Sequence, residues 1–145
     1  MAKEKNMKKL IKIGIDLGTA NLLVYVDGEG IIFNEPSVIA FDRESGQIVA
    51  AGKDAHKMLG KVHDKISVIK PLRNGVISDM KAAKALLEYV LEKVEHFTEK
   101  DLSNTACVMC CPSEVTRIER DIITELAQNM GITDVLIDEN TLCVL

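Results

Sequence analysis

The stretch Ile11-Lys-Ile-Gly-Ile-Asp-Leu-Gly-Thr-Ala-Asn21, followed by Leu22-Leu-Val-Tyr-Val-Asp27, constrains this chain more than any other. Ile11, Ile13 and Ile15 are β-branched and closely spaced, and Leu22 to Val26 form a second apolar run, so the pattern reads as two strands. Between them Gly18 allows a tight turn and a close backbone approach to a ligand.

That turn carries chemistry as well as shape. Backbone N–H groups and the side chains of Thr19 and Asn21 can donate to phosphate oxygens. Asp16 is an anion and repels phosphate, so its task would be a metal ion or the metal's water shell. A hairpin holding nucleotide phosphate and magnesium suits Asp16, Gly18, Thr19 and Asn21 together. A plain hairpin turn is the alternative. The segment is not a G-x-x-x-x-G-K-[ST] loop, and no helix follows it directly.

A chain of 145 residues is the size of one ordinary domain and can bury a real core. A net charge of −4 gives no electrostatic case for nucleic acid as a partner. No run of about 18 apolar residues offers a membrane-spanning helix. The basic start lacks the long apolar stretch and cleavage site of a signal peptide. A cytoplasmic place is expected. Cys107, Cys110 and Cys111 lie in an apolar run with Cys143 near the end. Cys107-x-x-Cys110 has half the spacing of a zinc site, but no second pair accompanies it, so buried structural thiols are the expectation.

Further along, Ile31-Ile-Phe33 reads as a strand, with Asn34 and Pro36 ending it in a turn. Val38–Phe41 and Gln47–Ala50 read as short strands, residues 54–59 as a small helix stopped by Gly60, and Ile66–Ile69 as another strand. Residues 79–97 carry a helical stripe at Met80, Ala83, Leu87, Val90, Leu91 and Val94, with Ser78 or Asp79 as cap. Residues 114–130 repeat it at Val115, Ile118, Ile122, Leu126 and Met130, with Ser113 as cap and Gly131 as stop. The run Thr105–Cys111 suits a strand buried on both faces, and Asp134–Asp138 another strand. The order predicts an α/β fold, a sheet packed by helices with an insert of short strands between about 34 and 70.

Gly14-Ile-Asp-Leu-Gly-Thr19 is similar to the first phosphate motif of the actin-like ATPase superfamily. Asn34-Glu-Pro-Ser-Val38, Gly52-Lys-Asp-Ala-His-Lys-Met-Leu-Gly60, Ile69-Lys-Pro-Leu-Arg-Asn-Gly-Val-Ile-Ser-Asp79, Cys111-Pro-Ser113 with Arg117-Ile-Glu-Arg120, and Leu136-Ile-Asp-Glu139 resemble the MreB/Mbl bacterial actins, in family order. The resemblance implies an actin-like (ribonuclease H-like) first domain with a mixed sheet. Its base would be residues 1–34 and 70–145, and its small α+β subdomain 35–69. It implies ATP and magnesium as cofactors. Gly18, Thr19, Ala20 and Asn21 would lie on the phosphate tail, Asp16 would face the metal, and Asp79 would reach it through water. Glu119 would position the attacking water. Taken without the family, Asp79 reads equally as a helix cap, and Glu119 as a solvated helix residue paired with Arg120 or a lysine.

The same resemblance implies filaments of the chain with itself or a full-length homologue, on the inner face of the membrane, guiding the cell-wall elongation machinery. Two segments are candidates for lipid contact: the basic start with Met7, Leu10 and Ile11, and Phe97 with Leu102. Family chains are more than twice this length, and their second phosphate loop, adenine-binding motif and second domain have no counterpart here. Ile137-Asp-Glu139 is followed by Asn140-Thr-Leu-Cys-Val-Leu145, where the family carries a proline and small residues. ATP in that fold lies between two domains, so the expectation is weak binding and no useful hydrolysis by this chain alone. A truncated paralogue that modulates full-length filaments is the alternative reading. A sugar or acetate kinase of the same superfamily is a third, and nothing here supplies its substrate pocket.

Overall fold

The computed structural model describes residues 9–61 and 64–138. Cys143, His63, most of the basic start and the Asn140–Leu145 tail therefore lie outside the described residues. The elements run β1 (Ile11–Leu17), β2 (Asn21–Val26), β3 (Gly30–Pro36), β4 (Ile39–Asp42), β5 (Ile48–Ala51), α1 (Lys53–His56), β6 (Ile66–Ile69), β7 (Leu72–Arg73), β8 (Val76–Ile77), α2 (Met80–Thr98), β9 (Thr105–Cys110), α3 (Arg117–Asn129) and β10 (Asp134–Asp138).

Five strands form the main sheet in the order β10-β9-β1-β2-β3. The β1–β2–β3 meander is antiparallel, while β9 and β10 run parallel to β1, so the sheet is mixed. Alternation decides its faces. Ile13, Ile15 and Leu17 of β1 point inward with Leu22, Val24 and Val26 of β2 and Cys107 and Met109 of β9. They meet Leu86, Leu87, Val90, Leu91 and Val94 of α2 and Ile123, Leu126 and Ala127 of α3 in one continuous core. Each fully buried leucine there contributes about 1.5–3 kcal/mol of transfer free energy. The smaller sheet, β5-β4-β6, has a second cluster of Val38, Ala40 and Ala55 beneath α1.

The structure corrects several expectations. β3 does not stop at Phe33. It continues through Asn34 and Glu35 to Pro36, pairing Leu23 with Asn34 and Asn21 with Pro36. β3 is an edge strand, so the missing N–H of Pro36 breaks no ladder bond. β9 is not buried on both faces: Val108 and its cross-strand partner Leu136 are 40% and 61% exposed. Residues 57–60 form turns beyond a one-turn α1. β7 and β8 form a hairpin around Asn74 and Gly75, at φ 50° and 78°. That is the two-residue Asn-Gly turn, in which both central residues adopt positive φ.

α3 starts three residues later than the apolar stripe suggests. Thr116, not Ser113, is its cap: the Glu119 N–H donates to Thr116 Oγ1 at 3.2 Å, and the Thr116 N–H donates to Glu119 Oε2 at 2.8 Å. This reciprocal capping box satisfies two N–H groups that the helix leaves over. Val115 is buried ahead of the helix, while Ile118 faces solvent.

Cys107 and Cys111 are buried free thiols, as expected, whereas Cys110, expected to be a third, is disulfide-bonded instead. Burial pushes the Cys107 thiol up to about 12. The unfolded thiol ionises near 9.0 and the folded one does not until far higher, so above pH 9 the unfolded state binds fewer protons. The contribution of Cys107 to stability is therefore whole below pH 9 and is lost between about 9 and 12. Urea melts of Cys107→Ala should show a shallower alkaline decline than those of the parent; equal slopes refute this assignment.

Candidate functional site

The β1–β2 turn is held on three sides. Inside it, the Gly18 N–H donates to the Asn21 carbonyl at 3.1 Å. A Cβ on Gly18 would lie 2.5 Å from that carbonyl oxygen, so only glycine fits. From the β3–β4 crossing, Ser37 Oγ donates to the Gly18 carbonyl at 2.7 Å, and the Ser37 N–H donates to the Ala20 carbonyl at 2.9 Å. From the β7–β8 turn, the Gly75 N–H donates to Thr19 Oγ1 at 3.1 Å. A Cβ on Gly75 would come within 2.9 Å of Glu114 Oε2 and 3.7 Å of Pro112 Cβ. Residues distant in sequence, 18–20, 75 and 112–114, therefore meet at one end of the main sheet.

Asp16 lies at the same end. It pairs with Cys110, which in turn pairs with Asp138, so the three side chains share one level of the sheet. Asp16 is exposed, as are Ala20 and Asn21. Burial pushes the thiol of the following residue, Cys111, up to about 11; the charge of Arg120 opposes that rise and the charge of Asp16 adds to it. Arg120, in the first turn of α3, and Asp16, at the end of β1, thus both act on the Cys111 thiol.

Asp79 is placed differently. Its Oδ1 accepts from the Ala82 N–H at 2.9 Å, which makes it the cap of α2. It opens on a recess between the small sheet and α2, with Asp42, Arg43, Ser67 and Lys81. The structure thus gathers Asp16, Gly18, Thr19, Ala20 and Asn21 at one end of the main sheet, and gives Asp79 a helix-capping bond beside a recess of the small sheet and α2. Among the described residues no three carboxylate, imidazole or thiolate groups come together as a metal cage.

The donor set fits an anion accompanied by a cation. The Thr19 oxygen accepts from Gly75, leaving its own O–H free to donate. Among the described residues, the N–H groups of Thr19 and Ala20 have no hydrogen-bond partner. The turn itself, residues 18–21, holds no basic side chain, so a polyanion there needs a cation beside the exposed Asp16 carboxylate.

Residues 10–144 match the family model described as MreB/Mbl protein. The chain belongs to the MreB/Mbl family. It is 41% identical over 127 residues to the cell shape-determining protein Mbl of Bacillus cereus, covering 88% of this chain and 38% of that one. To the cell shape-determining protein MreB of Escherichia coli it is 37% identical over 131 residues, with the same coverage. The MreB/Mbl chain therefore spans a little over a third of the length of these curated relatives.

Among solved structures it resembles MreB5 of Spiroplasma citri bound to ADP, at 39% identity and a TM-score of 0.78, over 90% of this chain and 38% of that one. The MamK double helical filament, at 21% identity and a TM-score of 0.68 over 89% and 40% of the two chains, shares the fold. The actin-like α/β architecture is thereby established for this part of the fold.

One residue singled out for lipid contact is not available for it. Leu102 is 1% exposed and sits in the core, whereas Phe97 is 49% exposed. No helix among the described residues is long and apolar enough to cross a membrane. Sequence reasoning missed Ser37 and Gly75 as parts of the site. The Asn-Gly pair signals the second; a buried serine in a loop signals nothing by itself.

Proposed function

We propose that this chain is the nucleotide-phosphate half of an actin-like cell-shape protein. On this reading residues 1–34 and 70–145 serve as base subdomain and 35–69 as small subdomain. The carrying observation is the braced turn, with the free Thr19 and Ala20 N–H groups and the Thr19 hydroxyl beside an exposed Asp16. MreB5, a relative at 39% identity, was solved with ADP and with AMPPNP, which supports an adenine nucleotide as ligand.

Gly18, Thr19, Ala20 and Asn21 bind and orient the phosphate tail through N–H and O–H donors. Asp16 would hold a magnesium ion through its water shell, and that ion would supply the charge balance that the turn lacks. Asp79, whose carboxylate caps α2, would reach such an ion only through intervening water. Glu119 orients the attacking water, and the capping box fixes the start of the helix that presents it. Self-association into filaments, with cell-wall elongation proteins and the inner membrane face as neighbours, follows the cell-shape role of the relatives. The apolar pair Val108 and Leu136 on the open sheet face favours association.

This chain by itself contributes one side of a cleft, so its affinity should be weak, roughly 0.1–1 mM for Mg-AMPPNP. Titration of the ¹⁵N-labelled chain should move the amides of residues 18–21 and 75. Asp16→Asn should weaken the magnesium-dependent part by about tenfold, a loss of about 1.4 kcal/mol. Unmoved turn amides at saturating ligand refute the reading; micromolar affinity refutes the half-site account.

A further inference from the structure

Ser37 is 1% exposed, one of two buried polar side chains, with Thr105, among the described residues. Its hydroxyl and its N–H engage two different carbonyls of one turn, those of Gly18 and Ala20. A peptide unit is planar and trans, so its C=O and the following N–H point in opposite directions. Turning the Gly18 carbonyl toward Ser37 thus aims the Thr19 N–H away from it, and turning the Ala20 carbonyl does the same for the Asn21 N–H. Carbonyl oxygens that would repel a phosphate are drawn back, and donors are set forward.

The crossing that carries Ser37 is itself fixed at both ends. The Val38 N–H donates to the Pro36 carbonyl at 2.9 Å, closing a three-residue turn with Ser37 at its centre. On the far side the Gly52 N–H donates to the Val38 carbonyl at 2.9 Å, and the Lys53 N–H donates to Glu35 Oε2 at 2.9 Å, where α1 begins. Residues 35–38 therefore touch the phosphate turn with one side and the start of α1 with the other.

We propose that Ser37 is a positioning residue that sets the peptide planes of the 18–21 turn for phosphate, and that the 35–38 crossing ties this setting to α1 and the small sheet. The inference rests on the phosphate-binding reading above. It assigns Ser37 no contact with the ligand.

The test is a ¹⁵N-resolved titration of the chain with Mg-AMPPNP in three forms. Ser37→Ala should move the Thr19 and Asn21 amide signals before any ligand is added, and should weaken binding by at least about tenfold. Ser37→Thr keeps the hydroxyl and should stay within about threefold of the parent. A serine that only fills the core would lower the melting temperature without moving the affinity of the folded protein. Parent-like affinity and unmoved turn amides in Ser37→Ala overturn this inference and leave the binding reading standing. Turn amides of the parent that ignore Mg-AMPPNP overturn both. Should Ser37→Ala not fold, Ser37→Cys keeps the volume with a weaker donor, and a loss of about threefold or more supports the proposal while none overturns it.

Discussion

Gly52→Ala is expected to lower the unfolding free energy by about 2–4 kcal/mol, which for a chain of this size moves the melting midpoint by roughly 5–12 °C. Gly52 is the N-cap of α1 at φ 65°, ψ −132°, a conformation that side chains other than hydrogen resist. The space where its Cβ would go is filled by the Glu35 carboxylate. That carboxylate accepts from the Lys53 N–H and caps the helix in place of the glycine, which has no side chain to do so. Alanine must therefore strain the backbone and also displace the cap. Gly28→Ala separates the two effects: Gly28 has φ +84° and nothing within 4 Å of a new Cβ, so it reports strain alone, about 1 kcal/mol. In a double variant with Glu35→Ala the steric part disappears, so the two losses should not add. Equal losses at positions 28 and 52 would refute the account.

The parts of this fold legible in the sequence are those with long, unbroken periods. β1, β2 and α2 show themselves because their core faces repeat every two or every 3.6 residues over six residues or more. The start of α3 was misplaced for a physical reason. Val115 fits the apolar stripe, but it is buried as a loop residue, and the stripe cannot tell the two apart. Thr116-Arg-Ile-Glu119 spells a capping box, and a local hydrogen-bond signal of that kind outranks an apolar residue at the margin. Pro36 looked like a terminator because proline spoils a central strand, and whether a strand is central is not written in it. β7 and β8 are two residues each, too short for any period, and only Asn74-Gly75 marks them. The site divides in the same way. Asp16, Gly18, Thr19 and Asn21 are contiguous, so their chemistry can be read together. Ser37 and Gly75 reach the turn across 19 and 56 residues, distances that no local pattern encodes.

Glu119→Gln is expected to reduce nucleotide hydrolysis by about 100-fold while leaving stability within about 0.5 kcal/mol of the parent. The two halves of that expectation separate the cap that Glu119 forms from the water-orienting role proposed for the same side chain. In the capping box Glu119 Oε2 accepts from the Thr116 N–H at 2.8 Å, and a glutamine oxygen can accept the same bond. A glutamine cannot take a proton from water, and its neutral amide polarises a bound water less than a carboxylate does. Glu119→Ala removes both functions, so it should match the hydrolytic loss and add about 1 kcal/mol of destabilisation. The measurement is phosphate release from Mg-ATP by a chimera in which this chain replaces the matching 38% of Bacillus cereus Mbl, alongside urea melts of the 145-residue chain. A Glu119→Gln chimera that hydrolyses within about threefold of its parent would refute a proton-accepting role for Glu119, and a Glu119→Ala chimera that does the same would leave it with the cap alone. If instead Gln keeps the melt and loses the turnover, one residue serves both purposes: its carboxylate fixes the start of α3, and that fixed start aims the same carboxylate.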